Sequence, residues 1–314
     1  GGTITINAAW NIGTFDASAR TSAMTLTTGG NSPVVYGDWK FGTGVTSSNT
    51  AGGIITSKPG TQTITSNGVQ FGCSVTVNHP SGTVQLADAL SLNSARTLTL
   101  TAGTFDAVIY NVTTGLFTNS ASTNTLKMGS GTWTLSGTIQ PWNLSTAPTL
   151  IVGTSTIILS DTGTSARTFA GGGLYYNKLT IGGTTGTSTL TITGNNTFGE
   201  IASTKTVAHT IAFGTTAQTF GKWSVTGTVG NVVTLTGTST TNVIAGPAVT
   251  GIDYLAMGTW GVSTTSPGEF YAGANSTGTA TAPVFRTAAP AARTLYWVGG
   301  TGNWSSTTKW ATSS

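Results

Sequence analysis

Charged residues are scarce in this chain of 314 residues. Asp, Glu, Lys and Arg make up only 6% of it, against about 25% in a usual soluble domain. No run approaches the roughly 18 consecutive apolar residues that a membrane-spanning helix needs, so membrane insertion is not predicted. Disorder is a poor fit as well, because 37% of the residues are hydrophobic and regularly placed, whereas disordered chains combine low hydrophobicity with high net charge.

Cysteine and histidine are almost absent. Cys73 is the single cysteine, which excludes an intrachain disulfide, and we expect it to fill a core position. His79 and His209 are isolated and do not make a metal site. We expect His79 to lie in a turn and His209 to face solvent. No metal or other cofactor is predicted.

Neither sign of charge forms a cluster. Twelve basic residues against eight acidic ones give a net charge of +4, but they are scattered singly, so nucleic-acid binding is not predicted. The acids form no close carboxylate pair of the glycosidase type. Asp16 and Asp106 share the phrase Gly-Thr-Phe-Asp-Ala, where an aspartate typically bonds to turn backbone. The chain is therefore predicted not to be an enzyme.

Short runs in which apolar and hydroxyl residues alternate occur throughout the chain. The run 187–194 reads TSTLTITG, and period-two alternation places Leu190 and Ile192 on one face and the threonines on the other. Similar runs occur at 3–6, 24–27, 62–65, 74–77, 97–100, 132–135, 179–181 and 233–236. β-Branched residues punctuated by 44 glycines predict an all-β chain.

Two all-β architectures fit these runs, a parallel β-helix (β-solenoid) with irregular coils and a set of tandem β-sandwiches. The solenoid is favoured because similar phrases recur over most of the length. Two-residue hairpin signals are also scarce, Asn67-Gly68 being the main one. Successive strand cores are separated by irregular intervals of about 10 to 25 residues, which predicts variable loops on a regular scaffold.

Composition divides the chain into four parts. Residues 1–240 are predicted as the solenoid, 241–285 as its last coils and a cap, 286–294 as an Ala/Pro linker, and 295–314 as a Trp/Gly strand–turn–strand element. The ends of a coil stack expose backbone donors and acceptors, so each end needs a cap or a neighbouring subunit. Gly1 is not a start methionine and no signal peptide follows it, so we expect a processed chain or a section of a longer one.

Several aromatic residues are candidates for stacking on sugar rings. They are Trp39, Trp142, Trp223, Trp260, Tyr175 and Tyr176. The competing interpretation, which we favour, is that they fill the core, as aromatic residues most often do.

The segment 171–181, GGGLYYNKLTI, and the tryptophan element 296–310 resemble repetitive Thr/Gly-rich β-solenoid surface proteins. These occur as bacterial adhesins and exported filaments and as tail fibres or appendages of tailed phages. In such proteins a similar tryptophan element commonly precedes a solenoid. The resemblance implies that residues 295–314 begin a next module or contact a neighbouring subunit. The residues of that candidate contact are Tyr296, Trp297, Trp304 and Trp310.

The expected function is that of a non-enzymatic extracellular fibre module, structural or adhesive, on a cell surface or a virion. Its expected partners are copies of itself, end to end or side by side, and host-surface glycans. One alternative is a glycan-binding or glycan-degrading β-helix, which predicts a groove with paired acids or exposed coplanar aromatics. A minor alternative is an ice-binding solenoid, which needs coils of equal length.

Overall fold

The computed structural model describes residues 1–48, 53–57, 59–160, 162–238, 242–244, 251–258, 260, 262–264, 270–278, 285–286, 294–304 and 307–311. Asp161, Glu269 and most of the predicted linker at 286–294 lie outside this set. The described chain is almost entirely β-strand and turn.

In chain order the strands are Gly2–Thr5 (β1), Asn11–Ile12 (β2), Phe15–Asp16 (β3), Met24–Thr27 (β4), Val34–Val35 (β5), Trp39–Lys40 (β6), Val45–Ser47 (β7), Gly53–Thr56 (β8), Gly60–Thr65 (β9), Ser74–Leu86 (β10), Leu90–Ser91 (β11), Thr97–Asp106 (β12), Val112–Thr114 (β13), Leu116–Asn119 (β14), Thr125–Lys127 (β15), Thr132–Leu135 (β16) and Ile139–Asn143 (β17). They continue as Thr149–Ile151 (β18), Thr156–Leu159 (β19), Arg167–Ala170 (β20), Tyr175–Ile181 (β21), Thr189–Thr193 (β22), Thr197–Ser203 (β23), His209–Ala212 (β24), Thr219–Ser224 (β25), Val233–Thr236 (β26), Asn242–Ile244 (β27), Leu255–Ala256 (β28), Val262–Thr264 (β29), Phe270–Tyr271 (β30), Phe285–Arg286 (β31), Tyr296–Trp297 (β32) and Trp310–Ala311 (β33), with a short 3-10 helix at Thr307–Lys309.

Parallel pairing stacks the strands from β1 to β29 into coils with up to three faces. Face 1 holds two separate sheets, one of β1, β4 and β7 and one of β11, β13, β16, β19, β21, β23, β25, β27 and β29. Face 2 holds β2, β5, β8, the first parts of β10 and β12, and β14, β17, β20, β22, β24, β26 and β28. Face 3 holds β3, β6, β9, the second parts of β10 and β12, β15 and β18. This is the predicted β-solenoid, with about 11 turns.

Coil length is more regular than the intervals between successive strands suggested. Partners in register on face 1 lie 20 to 24 positions apart. Face 2 varies more, from 19 positions between Thr97 and Leu116 to 28 between Ile139 and Arg167. The variation in the number of residues per coil is therefore larger on face 2, whereas face 1 has an almost constant repeat. Face 1 stacking also continues past residue 240, through β27 and β29.

Alternation within each strand separates the core from the surface. In β22, Leu190 and Ile192 are buried and Thr189, Thr191 and Thr193 are half-buried, as the pattern predicts. Inward side chains stack on their register partners one coil away. Outward threonines stack in the same way, and cross-strand pairs of this type contribute roughly 0.2–1 kcal/mol each.

A column of aromatic rings fills much of the core. On face 2, Trp142 stacks between Phe117 and Phe169 with ring centroids 4.9 and 6.1 Å away. On face 1, Phe198 stacks in register with its neighbours above and below at 5.5 Å each. Stacked and edge-to-face rings add about 0.5–1.5 kcal/mol per pair beyond their buried area.

The tryptophan element forms the expected strand–turn–strand unit. Here β32 and β33 pair antiparallel, with Trp297 opposite Trp310. The indole of Trp310 donates a hydrogen bond to the Trp304 carbonyl at 2.9 Å. The element thus differs in strand direction from the parallel coils before it.

Candidate functional site

The structure buries five of the six aromatics considered for sugar stacking. Those five are Trp39, Trp142, Trp223, Trp260 and Tyr176, each at most 4% exposed. Their rings pack on core neighbours, as Trp39 does on Phe15 at 4.3 Å. They offer no ring face to a glycan, so the sugar-platform interpretation is wrong for these five residues.

Tyr175 is the exception, with half of its side chain exposed. It precedes a charged row in which Lys178, Glu200 and Lys222 lie in register on successive coils. Glu200 accepts from both ammonium groups, at 3.2 and 3.3 Å. Burial alone would raise the pKa of Glu200, but hydrogen bonds from Ser224 and the two lysines outweigh it and lower the pKa. The row therefore keeps a net charge of +1, and its one carboxylate is paired with both lysines.

The aspartates of the repeated phrase act as turn caps, which confirms the sequence prediction. Asp16 accepts from the Ser18 backbone N–H at 2.9 Å, and Asp106 accepts from the Val108 N–H at 2.9 Å. Asp106 also pairs with Lys127 one coil further on, at 3.3 Å. Within the described ranges, no group of three or more His, Cys, Asp or Glu side chains is close enough to hold a metal ion.

Both histidines are buried, contrary to the sequence prediction. His79 lies within β10 rather than in a turn, and its Nε2 is 2.6 Å from Gln62 Oε1. The Gln62 amide in turn donates to the backbone carbonyls of Val35 and Gly37. Each polar group in this interior cluster therefore has a partner, as burial requires. Cys73 is buried as predicted, and burial raises the pKa of its thiol to about 11.

His209 opens β24 with its ring inside the coil. Its Nδ1 lies 2.8 Å from the Val207 carbonyl oxygen and its Nε2 lies 3.0 Å from Ser203 Oγ. Since a carbonyl only accepts, Nδ1 carries the proton, and Nε2 accepts from the Ser203 hydroxyl in the neutral ring. Burial lowers the pKa of His209, and the Lys205 charge lowers it further against the opposing effect of the Val207 carbonyl.

Acid is expected to destabilise the fold through His209. The folded state holds the pKa below the usual value of 6.5, so the unfolded state binds the proton more readily. The contribution of the neutral His209 ring to stability is fully present above pH 6.5, and it is lost as the pH falls through the folded-state pKa. The His209→Gln variant should show a flatter fall in unfolding free energy below pH 6.5, measured by urea denaturation across the pH range. Parallel pH profiles for the two proteins would contradict this assignment.

The tryptophan element presents its aromatic residues to solvent. Tyr296 and Trp297 are about two-fifths exposed and Trp304 is 82% exposed, whereas Trp310 is half-buried. The indole N–H of Trp297 donates a hydrogen bond to the Gly300 carbonyl at 3.1 Å. The rings therefore form an exposed aromatic surface held in place by hydrogen bonds within the element itself.

The N-terminal coil is open on one side. All four residues of β1 are exposed, and among the described strands β1 pairs with β4 alone. Ile4 and Trp10 are each about half exposed. A recess of about 410 Å³ opens at the same end, lined by Ile4, Phe15 and Met24 among others. This end combines free strand edge with apolar surface.

The fold and these surfaces define the described part of the chain as a β-solenoid with an uncovered strand edge at its first coil and an exposed aromatic element. No protein-family model, curated protein or solved structure matches it. Among the described residues, no helix has the length and apolar character required to cross a bilayer.

Proposed function

We propose that this protein is a non-enzymatic extracellular module of a fibre, structural or adhesive, belonging to a phage appendage or a cell-surface filament. Its coils form a stiff spacer, and it is extended by copies of itself stacked on its ends. The observation that carries the proposal is the outer edge of β1, which no described strand covers, together with the exposed side chains of Ile4 and Trp10. Unpaired edges pair readily with further strands.

Backbone direction identifies the groups available for such pairing. The Ile6 N–H donates to the Thr27 carbonyl at 2.8 Å. Alternate residues of a parallel strand direct their backbone N–H and C=O groups to opposite neighbours. The backbone groups of Ile4 therefore face β4, whereas those of Thr3 and Thr5 face the open side. An added strand would bond to Thr3 and Thr5 without disturbing β4.

Two further features support the proposal. The outward faces of the coils carry mostly threonine and serine and few charges, which suits close packing of neighbouring rods with little electrostatic repulsion. The exposed rings of Tyr296, Trp297 and Trp304 provide a second contact surface, since aromatic residues are enriched at interfaces.

A single substitution at the open edge tests end-to-end assembly. Proline at Thr3 removes an outward N–H but no internal bond, which is where strands tolerate proline. Thr3→Pro should therefore abolish concentration-dependent association in sedimentation velocity, while Thr3→Ala, which keeps the N–H, should associate like the parent chain. A parent chain that stays monomeric at every concentration, or equal association of Thr3→Pro and Thr3→Ala, would overturn stacking at this edge.

A further inference from the structure

A groove crosses the outward side of face 2 over three successive coils. It encloses about 610 Å³, and its lining includes Thr97, Leu116, Thr118, Gln140 and Asn143. Thr97 lies in register with Leu116, and Thr118 lies in register with Asn143 on the next coil. The groove therefore runs along the axis of the solenoid, across the strands.

The lining of this groove is uncharged and amphipathic. It contains hydroxyl and amide side chains and no ionisable residue. Leu116 faces outward, as Thr97 and Thr118 do, so its apolar side chain lies among polar ones. Apolar surface with a few convergent polar groups is typical of ligand sites. A neutral sugar chain offers the matching surface, with C–H faces between hydroxyl groups.

One wall of the groove is conformationally strained. Ile139 has a φ of +68° although it is β-branched, and its side chain is 76% exposed. The pairing of β17 with β20 shifts register between Ile139 and Trp142, where the chain bulges. Left-handed β-branched residues are true outliers, and such strain clusters at ligand-binding positions. Burial does not compensate the strain here, because the side chain projects into solvent beside the groove.

We propose that this groove binds a stretch of neutral polysaccharide lying along the solenoid axis. Adjacent strands are about 4.8 Å apart, close to the advance of one sugar in an extended β-linked chain, so each coil meets about one sugar. The absence of ionisable residues from the lining makes the site one for binding rather than cleavage. The inference deepens the adhesive part of the proposed function and does not require assembly through β1.

A matched pair of variants tests the site. Affinity electrophoresis of the full chain in gels containing soluble mixed-linkage β-glucan, galactomannan or dextran should show retardation by at least one of them. Thr118→Arg places a bulky charge in the groove and should weaken binding about tenfold or more. Thr134→Arg makes the same change at an outward, half-buried threonine of β16 on face 1 and should leave binding unchanged.

A second variant separates the ligand role from folding. Ile139→Gly relieves the left-handed strain, so it should retain or increase the unfolding free energy while weakening polysaccharide binding. Failure of all three neutral polysaccharides to retard the chain, or equal binding by Thr118→Arg and Thr134→Arg, would overturn the proposal. Running the same gels with Thr3→Pro distinguishes the two proposals. If this variant no longer self-associates but still binds polysaccharide, the edge of β1 serves assembly and the groove binds independently of it.

Discussion

Replacing Trp142 with alanine is expected to lower the free energy of unfolding by about 3–5 kcal/mol, the usual cost of deleting a buried tryptophan. Its ring is fully buried and stacks between Phe117 and Phe169. Its indole N–H donates to the Tyr176 hydroxyl at 3.2 Å. The variant loses ring contacts on both adjacent coils and leaves a cavity that the rigid coil stack cannot close.

The control for this prediction is Trp10→Ala. Trp10 lies in the open first coil and is about half exposed, so its removal should change stability by far less. Both variants are compared with the parent in urea, with unfolding followed by circular dichroism. Equal losses for Trp142→Ala and Trp10→Ala would mean that the aromatic column does not carry the stability assigned to it.

Gly129→Ala is expected to be strongly destabilising because of two combined effects. Gly129 has a φ of +71°, and a Cβ there would overlap the Val108 carbonyl group of the preceding coil. Val108 and Gly153 are also left-handed at the same corner, and a Cβ on Gly153 would overlap the Gly129 carbonyl. The three turns nest directly on one another, so an added methyl group forces neighbouring coils apart.

Gly214→Ala isolates the conformational part of that effect. Gly214 has a φ of +58°, but no atom lies within 4 Å of the position that an added Cβ would take. The left-handed conformation alone should cost about 1–2 kcal/mol. Gly129→Ala should exceed this value clearly in the same urea experiment. If the two alanine variants lose equal stability, close nesting of the corners is not what requires glycine at 129.

Local alternation made the fold class and the inward residues predictable. Leu190 and Ile192 lie inward and Thr191 lies outward because a strand has a period of two, whatever its tertiary partners. The caps formed by Asp16 and Asp106 were equally predictable, because an aspartate bonds to backbone only two residues away.

The inward position of His209 was not predicted, because a polar residue type was taken to outweigh its position in the strand. His209 shares its parity with Ile211, which is buried, so alternation alone places the ring inward. A polar residue was expected outside, but hydrogen bonds from within the same coil satisfy both ring nitrogens. The partner Ser203 lies in the preceding strand, and its availability depends on how the corner folds.

The groove was not predictable from the sequence. Thr97, Leu116 and Asn143 lie in three different coils, and their proximity depends on register. Register on face 2 shifts by several residues between coils, so no fixed repeat reveals the alignment. The left-handed backbone at Ile139 has no local signal either, because isoleucine is a residue that normally avoids it.

The hydrogen bonds between coils run parallel to the solenoid axis, which makes the molecule mechanically anisotropic. A force applied across the axis loads all the hydrogen bonds of a coil at the same time. A force applied to the two chain ends breaks the hydrogen bonds of the terminal coil one after another. A coil of 22 residues, such as that from Lys178 to Glu200, occupies about 4.8 Å of the rod when stacked and releases about 75 Å of chain when unravelled. Each terminal coil is thus a store of extra length that dissipates work under tension while the coils behind it stay intact.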